Sequence, residues 1–299
     1  MVNENKKVYV IAGPTASGKT KLAVDLAKYL KTEIISADSR QFYKEIAIGT
    51  AKPSKEEQSG VVHHFVDSHS VHYPISAGEF EKLAKPVLKE VLENYNSAVV
   101  VGGSGLFIQA LIEGTHQFPK SEEIQIKYNE LLREKGTQYL QELLKEKDFD
   151  SYLDIDINNP RRLTRALEII ELTGEKLSKL KASKENSNDF EVKYFILDLP
   201  REKLYERINQ RVDIMLNNGL LKEVESVYKY RSLKSLNTVG YKELFDFLDD
   251  EIDFEEAIRL IKRNTRRYAK RQLTWFRRIE DAVWLKPPFS LDKVVGNDF

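Results

Sequence analysis

A chain of 299 residues, 41% apolar and 31% charged, has the make-up of a globular protein with one large domain or a core plus a smaller one. Net charge is zero, so total charge predicts no polyanion partner, and the absence of cysteine excludes disulfides, thiol catalysis and cysteine-ligated zinc. No apolar run reaches the roughly 18 residues of a membrane span, and MVNENKK lacks an apolar h-region, so a cytoplasmic protein is expected.

In chain order, 6–12 (KKVYVIA) reads as a buried strand ending at Gly13, and 19–30 has helical apolar spacing. Residues 32–37 and 97–101 read as further strands, with a helix over 79–95 between them. Strand, glycine turn, helix, strand is the rhythm of a parallel α/β sheet. That rhythm breaks at 121–146 and 160–173, both helical in pattern, and 181–190 is polar and loop-like. A strong strand returns at 191–199, and 201–230 and 239–280 are helical. The expected architecture is a P-loop NTPase-like parallel sheet over 1–120 and 189–299, with helices in its C-terminal part and a helical insertion at 121–188. The tail after Trp284 is expected to be irregular. No oligomerisation motif is visible, so a monomer is expected.

Gly13-Pro14-Thr15-Ala16-Ser17-Gly18-Lys19-Thr20 matches G-x-x-x-x-G-K-[ST], between a predicted strand and a predicted helix. The glycines let backbone N–H groups wrap an anion, and the helix N-terminus adds partial positive charge. Lys19 neutralises phosphate oxygens and Thr20 can hold Mg²⁺. The loop specifies phosphates, not ATP hydrolysis. Asp198 is the nearest aspartate after an apolar strand, but a structural role suits it better. Asp38 leaves the end of the second strand, where ligands of open α/β sheets bind. A carboxylate beside a phosphate site binds metal, takes a proton, or simply caps a loop.

Residues 259–278 carry nine Lys or Arg and no acid. On a helical wheel Arg259, Lys262, Arg263, Arg266, Arg267 and Lys270 share one half. Ile258, Ile261, Thr265, Tyr268, Ala269 and Phe276 lie opposite, and Gln272 falls on the packed side. An acid-free ridge in a neutral protein suits phosphate-backbone contact. Trp275 reads as core. Asn159-Pro160 starts a helix well, clustering Arg161, Arg162 and Arg165 on neighbouring turns. His63-His64 with Asp67 has no further ligand at metal-binding spacing, and a loop near the crevice is the expectation.

GPTASGKT, ISADSRQFYKEIAIGTAKP, VVVGGSGLFIQAL, NPRRLTRALEI, RVDIMLNNGL, VGYKE and RRYAKRQLTWFR occur in that order over residues 7–278. Together they resemble the bacterial tRNA dimethylallyltransferase family. The resemblance implies dimethylallyl transfer from dimethylallyl diphosphate to N6 of the adenosine at position 37, 3′ of the anticodon, in tRNAs reading codons that start with U. It implies a diphosphate seated in the loop Gly13–Thr20 and held by Lys19, Thr15 and Arg211, with Asp38 as general base. Mg²⁺ would assist through Thr20. Asp38, Ser39, Arg40 and Gln41 would meet the RNA, with Ser104 where the family commonly has Thr. Phe107 stands where Tyr is usual. The family reading of Arg161, Arg162 and Arg165 is contact with the anticodon region, and the His63-His64 segment would border the substrate channel.

Two other enzyme classes use such a loop: a small-molecule kinase or ATPase, and an isopentenyltransferase acting on free adenine nucleotides. The helical insertion and the basic ridge favour a macromolecular acceptor. An RNA-binding module with a vestigial loop is disfavoured by intact Lys19 and Asp38.

Overall fold

The computed structural model describes residues 6–116, 118–182 and 189–296. The chain divides into two compact units, one of residues 1–114 with 188–299 and one of residues 115–187. Among the described residues no helix is long and apolar enough to cross a membrane.

The first unit is built on six strands: β1 (Lys7–Ala12), β2 (Ile34–Ser36), β3 (His63–His64), β4 (Ser97–Gly102), β5 (Glu191–Leu197) and β6 (Val283–Leu285). Their order is β3-β2-β4-β1-β5-β6, and every pairing is parallel. Side chains alternate across a sheet, so strands buried on both faces must be apolar at every position. Here Val8, Val10 and Ala12 join Ile35, Ala98 and Val100 on one face. Tyr9 and Ile11 join Ile34, Val99 and Val101 on the other.

The Lys19–Leu30 helix covers the second face with Leu22, Ala23, Leu26 and Ala27. The first face is covered by the Ala77–Tyr95 and Gly105–Ile112 helices and by C-terminal helices, through Phe80, Leu88, Ile108, Val212, Leu244, Ile261 and Phe276. Each such Leu, Ile or Phe contributes roughly 1.5–3 kcal/mol by leaving water.

Two strands differ from expectation. His63–His64 is an edge strand paired with β2, not a loop. Val283–Leu285 pairs with β5 at the opposite edge, beginning the tail as a strand. Two or three residues are too few to show periodicity, so tertiary pairing decides their conformation. The polar stretch at 181–190 falls largely on residues 183–188, outside the described residues.

The second unit has its own core, with Tyr128, Leu140, Leu144, Leu163 and Leu167 buried together. Its Glu122–Lys147 helix is broken at Gly136, where φ is 78° and ψ 176°. The sequence pattern there reads as one helix, because the flanking apolar spacing carries on through the break. Asp148 is fully buried and accepts hydrogen bonds from Ser151 Oγ (2.6 Å), Ser178 Oγ (2.7 Å), and the N–H groups of Ser178 (2.9 Å) and Ser151 (3.2 Å).

Candidate active site

The site lies at the carboxyl ends of β1, β2 and β4. β1 runs into Gly13, where an added Cβ would sit 3.0 Å from the Leu197 carbonyl oxygen. Ala16 and Gly18 take left-handed φ values of 63° and 95°. Those turns curl the backbone into a concavity of N–H groups. Gly18 caps the Lys19–Leu30 helix without a side-chain hydrogen bond, which leaves the first helical N–H groups for an anion. Ser17 Oγ is buried and has no hydrogen-bond partner. At the end of β4, Gly102 packs so closely on Ala37 that a Cβ would lie 2.4 Å from its carbonyl oxygen. That contact brings the Asp38 segment beside the phosphate loop.

Cations converge on this loop. Lys19 Nζ donates to the Pro14 carbonyl at 2.8 Å. Burial pushes the Lys19 ammonium down to about 8; Asp38 opposes the shift and Arg211 adds to it. Arg211, on the Arg201–Asn217 helix, donates from Nη1 to Thr15 Oγ1 at 3.2 Å. Burial, with the neighbouring Arg207, also lowers its pKa. Arg207 itself donates to the Ser17 carbonyl at 3.4 Å. Buried like charges are stable together only when an anion completes the set.

Asp38 lines the same crevice as Lys19, Thr15, Thr20 and Arg211. Its Oδ1 accepts from the Arg40 N–H at 3.0 Å, an Asx turn that fixes the carboxylate. The Ser39 N–H donates to Ser104 Oγ at 3.1 Å, tying the end of β2 to that of β4. Tyr268 lines the same crevice, where burial, reinforced by Asp38, pushes its phenol up to about 12. Phe107 packs instead in an aromatic cluster, 5.2 Å from Phe80 and 5.7 Å from Phe42 between ring centroids.

Other expected RNA contacts are already engaged within the protein. Arg40 Nη1 donates to the Ser235 carbonyl at 2.9 Å and Nη2 to Asn237 at 3.2 Å, locking the Asp38 segment to the 234–237 turn. Gln41 Nε2 donates to the carbonyls of Ala51 (3.2 Å) and Thr50 (3.4 Å). That loop is held in turn by Glu223, whose carboxylate accepts the N–H groups of Ala47, Ile48 and Gly49 within 2.9 Å. Nothing in the sequence pattern singled out Glu223, because its partners lie some 175 residues away.

The Phe254–Phe276 helix presents Arg263, Arg267 and Arg271 to the crevice, four residues apart, with Asn264, Tyr268 and Gln272 alongside. Arg271 and Tyr268 were not among the expected contacts. Arg266 and Lys270, which were, do not line the crevice. Arg266 donates to Asn209 Oδ1 at 2.7 Å and lies over the Tyr205 ring. Arg259 is paired with Glu256 and Lys262 with Asp213, each at 2.6 Å. So the expected ridge divides into a crevice row and a row partly neutralised by local partners.

In the second unit Arg165 pairs with Glu168 at 2.7 Å and donates to the carbonyls of Phe118 and Pro119. Arg161 and Arg162 are exposed on the first turn of the Pro160–Thr173 helix, capped by Asn159. His63 lines the crevice and shares its Nδ1 with the Val61 carbonyl, whereas His64 Nε2 meets Glu33 at 2.6 Å. Asp67 pairs with Lys52, and Asp198 with Lys286. Among the described residues no group of three His, Cys, Asp or Glu is placed to hold a metal.

The crevice encloses about 720 Å³, and all its lining residues belong to the first unit. Parallel sheet, glycine loop and helix N-terminus define a P-loop α/β protein. The chain belongs to the IPP transferase family, whose profile matches residues 41–279. It is similar to a tRNA dimethylallyltransferase of Christiangramia forsetii, 48% identical over 97% of this chain and 95% of the relative. A Bacillus cereus tRNA dimethylallyltransferase is 44% identical over 94% of this chain and 90% of its own. Among solved structures, the tRNA isopentenylpyrophosphate transferase of Bacillus halodurans matches with a TM-score of 0.72 at 38% identity, covering 99% of this chain and 94% of that one. A eukaryotic dimethylallyltransferase acting on tRNA matches with a TM-score of 0.80 at 28% identity, over 94% of this chain and 74% of its own.

Proposed function

We propose that this chain transfers a dimethylallyl group from dimethylallyl diphosphate to N6 of the adenosine 3′-adjacent to the anticodon, position 37 of tRNAs reading codons that start with U. The observation that carries the reading is the convergence of Lys19, Arg211 and Thr15 on the phosphate loop, with Asp38 lining the same crevice. The products are N6-isopentenyladenosine and diphosphate. Family membership supports the reaction class.

The exocyclic amine is a weak nucleophile because its lone pair is delocalised into the ring. Asp38 takes one amine proton as the nitrogen–carbon bond forms, an effect of about 10²–10⁴-fold. The bond from the allylic carbon to diphosphate oxygen breaks, and its electron pair leaves with the diphosphate. Lys19, Arg211, Thr15 and the loop N–H groups stabilise that developing charge. The adenosine reaches the crevice only when flipped from its stack. Ser39, Gln41 and Ser104 shape the base pocket, the first and last through their mutual hydrogen bond.

Thr20 lines the crevice beside Lys19, and no carboxylate cluster competes for a metal among the described residues. A Mg²⁺ bound with the diphosphate would be held on the protein side by the Thr20 hydroxyl. Such an ion would supply charge neutralisation to the leaving group. Arg263, Arg267 and Arg271 contact RNA phosphates from the crevice side. Arg161 and Arg162 contact the anticodon stem-loop from the second unit. The protein acts as a cytoplasmic monomer with no membrane partner.

The test supplies labelled dimethylallyl diphosphate, or γ-labelled ATP, with and without unmodified tRNA. Label is expected in the tRNA, lost with Asp38→Ala. Phosphate release or transfer from ATP, without prenylated RNA, would overturn the reading.

A further inference from the structure

Gln272 is 6% exposed, on the Phe254–Phe276 helix, and its amide is engaged at both ends. Its Oε1 accepts the Thr15 N–H at 2.9 Å, and its Nε2 donates to the Gly103 carbonyl at 2.9 Å. The orientation of the amide is forced, because a peptide N–H only donates and a carbonyl only accepts. Gly103 is where the approach needs a missing side chain: a Cβ there would lie 2.3 Å from Gln272 Nε2. One turn along, Trp275 lies against Gly105 in the same way, where a Cβ would be 2.0 Å from the indole. The helix is therefore seated by two glycine contacts on the turn that follows β4 and the start of the Gly105–Ile112 helix, and Gln272 extends from that seat to the phosphate loop.

We propose that Gln272 is a positioning residue for the proposed transfer, acting through Thr15. Its Oε1 draws the Thr15 N–H out of the anion cradle. Thr15 is then held from both sides, its backbone by Gln272 and its hydroxyl by Arg211 at 3.2 Å. That fixes the hydroxyl against the diphosphate. An apolar side chain of similar volume would fill the space, so the amide's polarity is the part that serves the site. The inference rests on the proposed function for its substrate, not for its geometry.

The polarity requirement gives a sharp test. Gln272→Met keeps volume and loses both hydrogen bonds. Gln272→Glu keeps the acceptor and size, and its protonated form regains a donor for Gly103. Burial raises a carboxyl pKa, so the glutamate variant is expected to recover as pH falls. In Gln272→Met, kcat for prenyl transfer should drop about tenfold or more, as expected for a misplaced stabilising donor, with KM for tRNA nearly unchanged. Affinity for inorganic diphosphate, by calorimetry, should also weaken. The activity of Gln272→Glu relative to the parent chain should rise several-fold between pH 8.5 and pH 6, roughly as expected for a buried carboxyl titrating in that range. With Thr15→Ala as background, Gln272→Met should cost less than about threefold, because residues acting as a unit are not additive.

A flat pH ratio, an additive loss in the Thr15→Ala background, or unchanged diphosphate affinity would overturn the proposal. If Gln272→Met fails to fold, the pH ratio of Gln272→Glu still decides. If the parent chain transfers no dimethylallyl group, the proposed function falls, and diphosphate affinity still reads the clamp.

Discussion

Arg211 Nη1 and Thr15 Oγ1 are 3.2 Å apart, although 196 residues separate them in the chain. The contact carries a cation from the Arg201–Asn217 helix to the mouth of the phosphate loop. Arg211→Gln removes the charge and keeps much of the side chain's length. We expect kcat to fall by about 10²–10³, the usual loss for one donor to a developing anion. KM for tRNA should change little. Steady-state kinetics with each substrate varied in turn checks this, and a pure KM effect would remove Arg211 from the leaving-group set.

Lys19 sets an alkaline limb. Its pKa is pushed down to about 8 by burial, against the pull of Asp38 and with the push of Arg211. The charged form binds the diphosphate, so kcat/KM should hold below that value and fall as pH rises through it. The free-enzyme pKa governs this limb. Replacing Arg211 removes one repulsive neighbour, so in Arg211→Gln the limb should move to higher pH. A pH profile from 6 to 10 on both proteins reads the shift, and a limb that stays in place argues against the coupling.

The phosphate loop was legible because its signals are local. An apolar run, a glycine spacing and a helical period all fall within residues 7–30, where the structure puts β1 and the Lys19–Leu30 helix. β3 and β6 were not, since strands of two and three residues leave no period to read. The arginines show a second limit. Composition reveals that residues 259–278 are basic, yet the partner of each charge is tertiary. Asp213 takes Lys262 and Asn209 takes Arg266, both from another helix. Arg40 lies within the segment expected to meet RNA, and its guanidinium also holds a carbonyl 195 residues away. Gln272 falls on the packed side of the wheel, but no wheel shows that it reaches Thr15 at a separation of 257 residues.

The division of the basic helix predicts unequal roles in RNA binding. Arg263, Arg267 and Arg271 line the crevice; Arg266 and Lys270 do not. Each phosphate contact to single-stranded RNA contributes about 0.7 to the slope of log affinity against log salt. Changing Arg267 and Arg271 to Ala should lower that slope by roughly 1.4 on this basis. Arg266→Ala should act mainly by freeing Asn209 and Tyr205, with a smaller change in slope. Filter binding of tRNA from 50 to 300 mM salt, over which the Debye length shortens roughly 2.4-fold, checks it. Equal slopes for the two sets would erase the distinction.

Asp148 in the second unit predicts an acid-dependent stability. Burial alone would raise its pKa, but hydrogen bonds from the Ser151 and Ser178 side chains and backbones win and lower it. The folded-state value lies below the unfolded one, so the stabilisation is complete above the unfolded pKa of about 4. It is lost as pH falls through the folded value. Asp148→Ala strands the donors of Ser151 and Ser178 in a buried site, at a cost of about 2–3 kcal/mol. At pH 7 the variant should therefore melt earlier than the parent, and the gap should narrow as both are titrated below about pH 4. Thermal melts of the full chain from pH 3 to 7, with hydrogen exchange on residues 121–182 to localise the change, make the comparison. A gap that stays constant down to pH 3 would mean the carboxylate's charge contributes nothing.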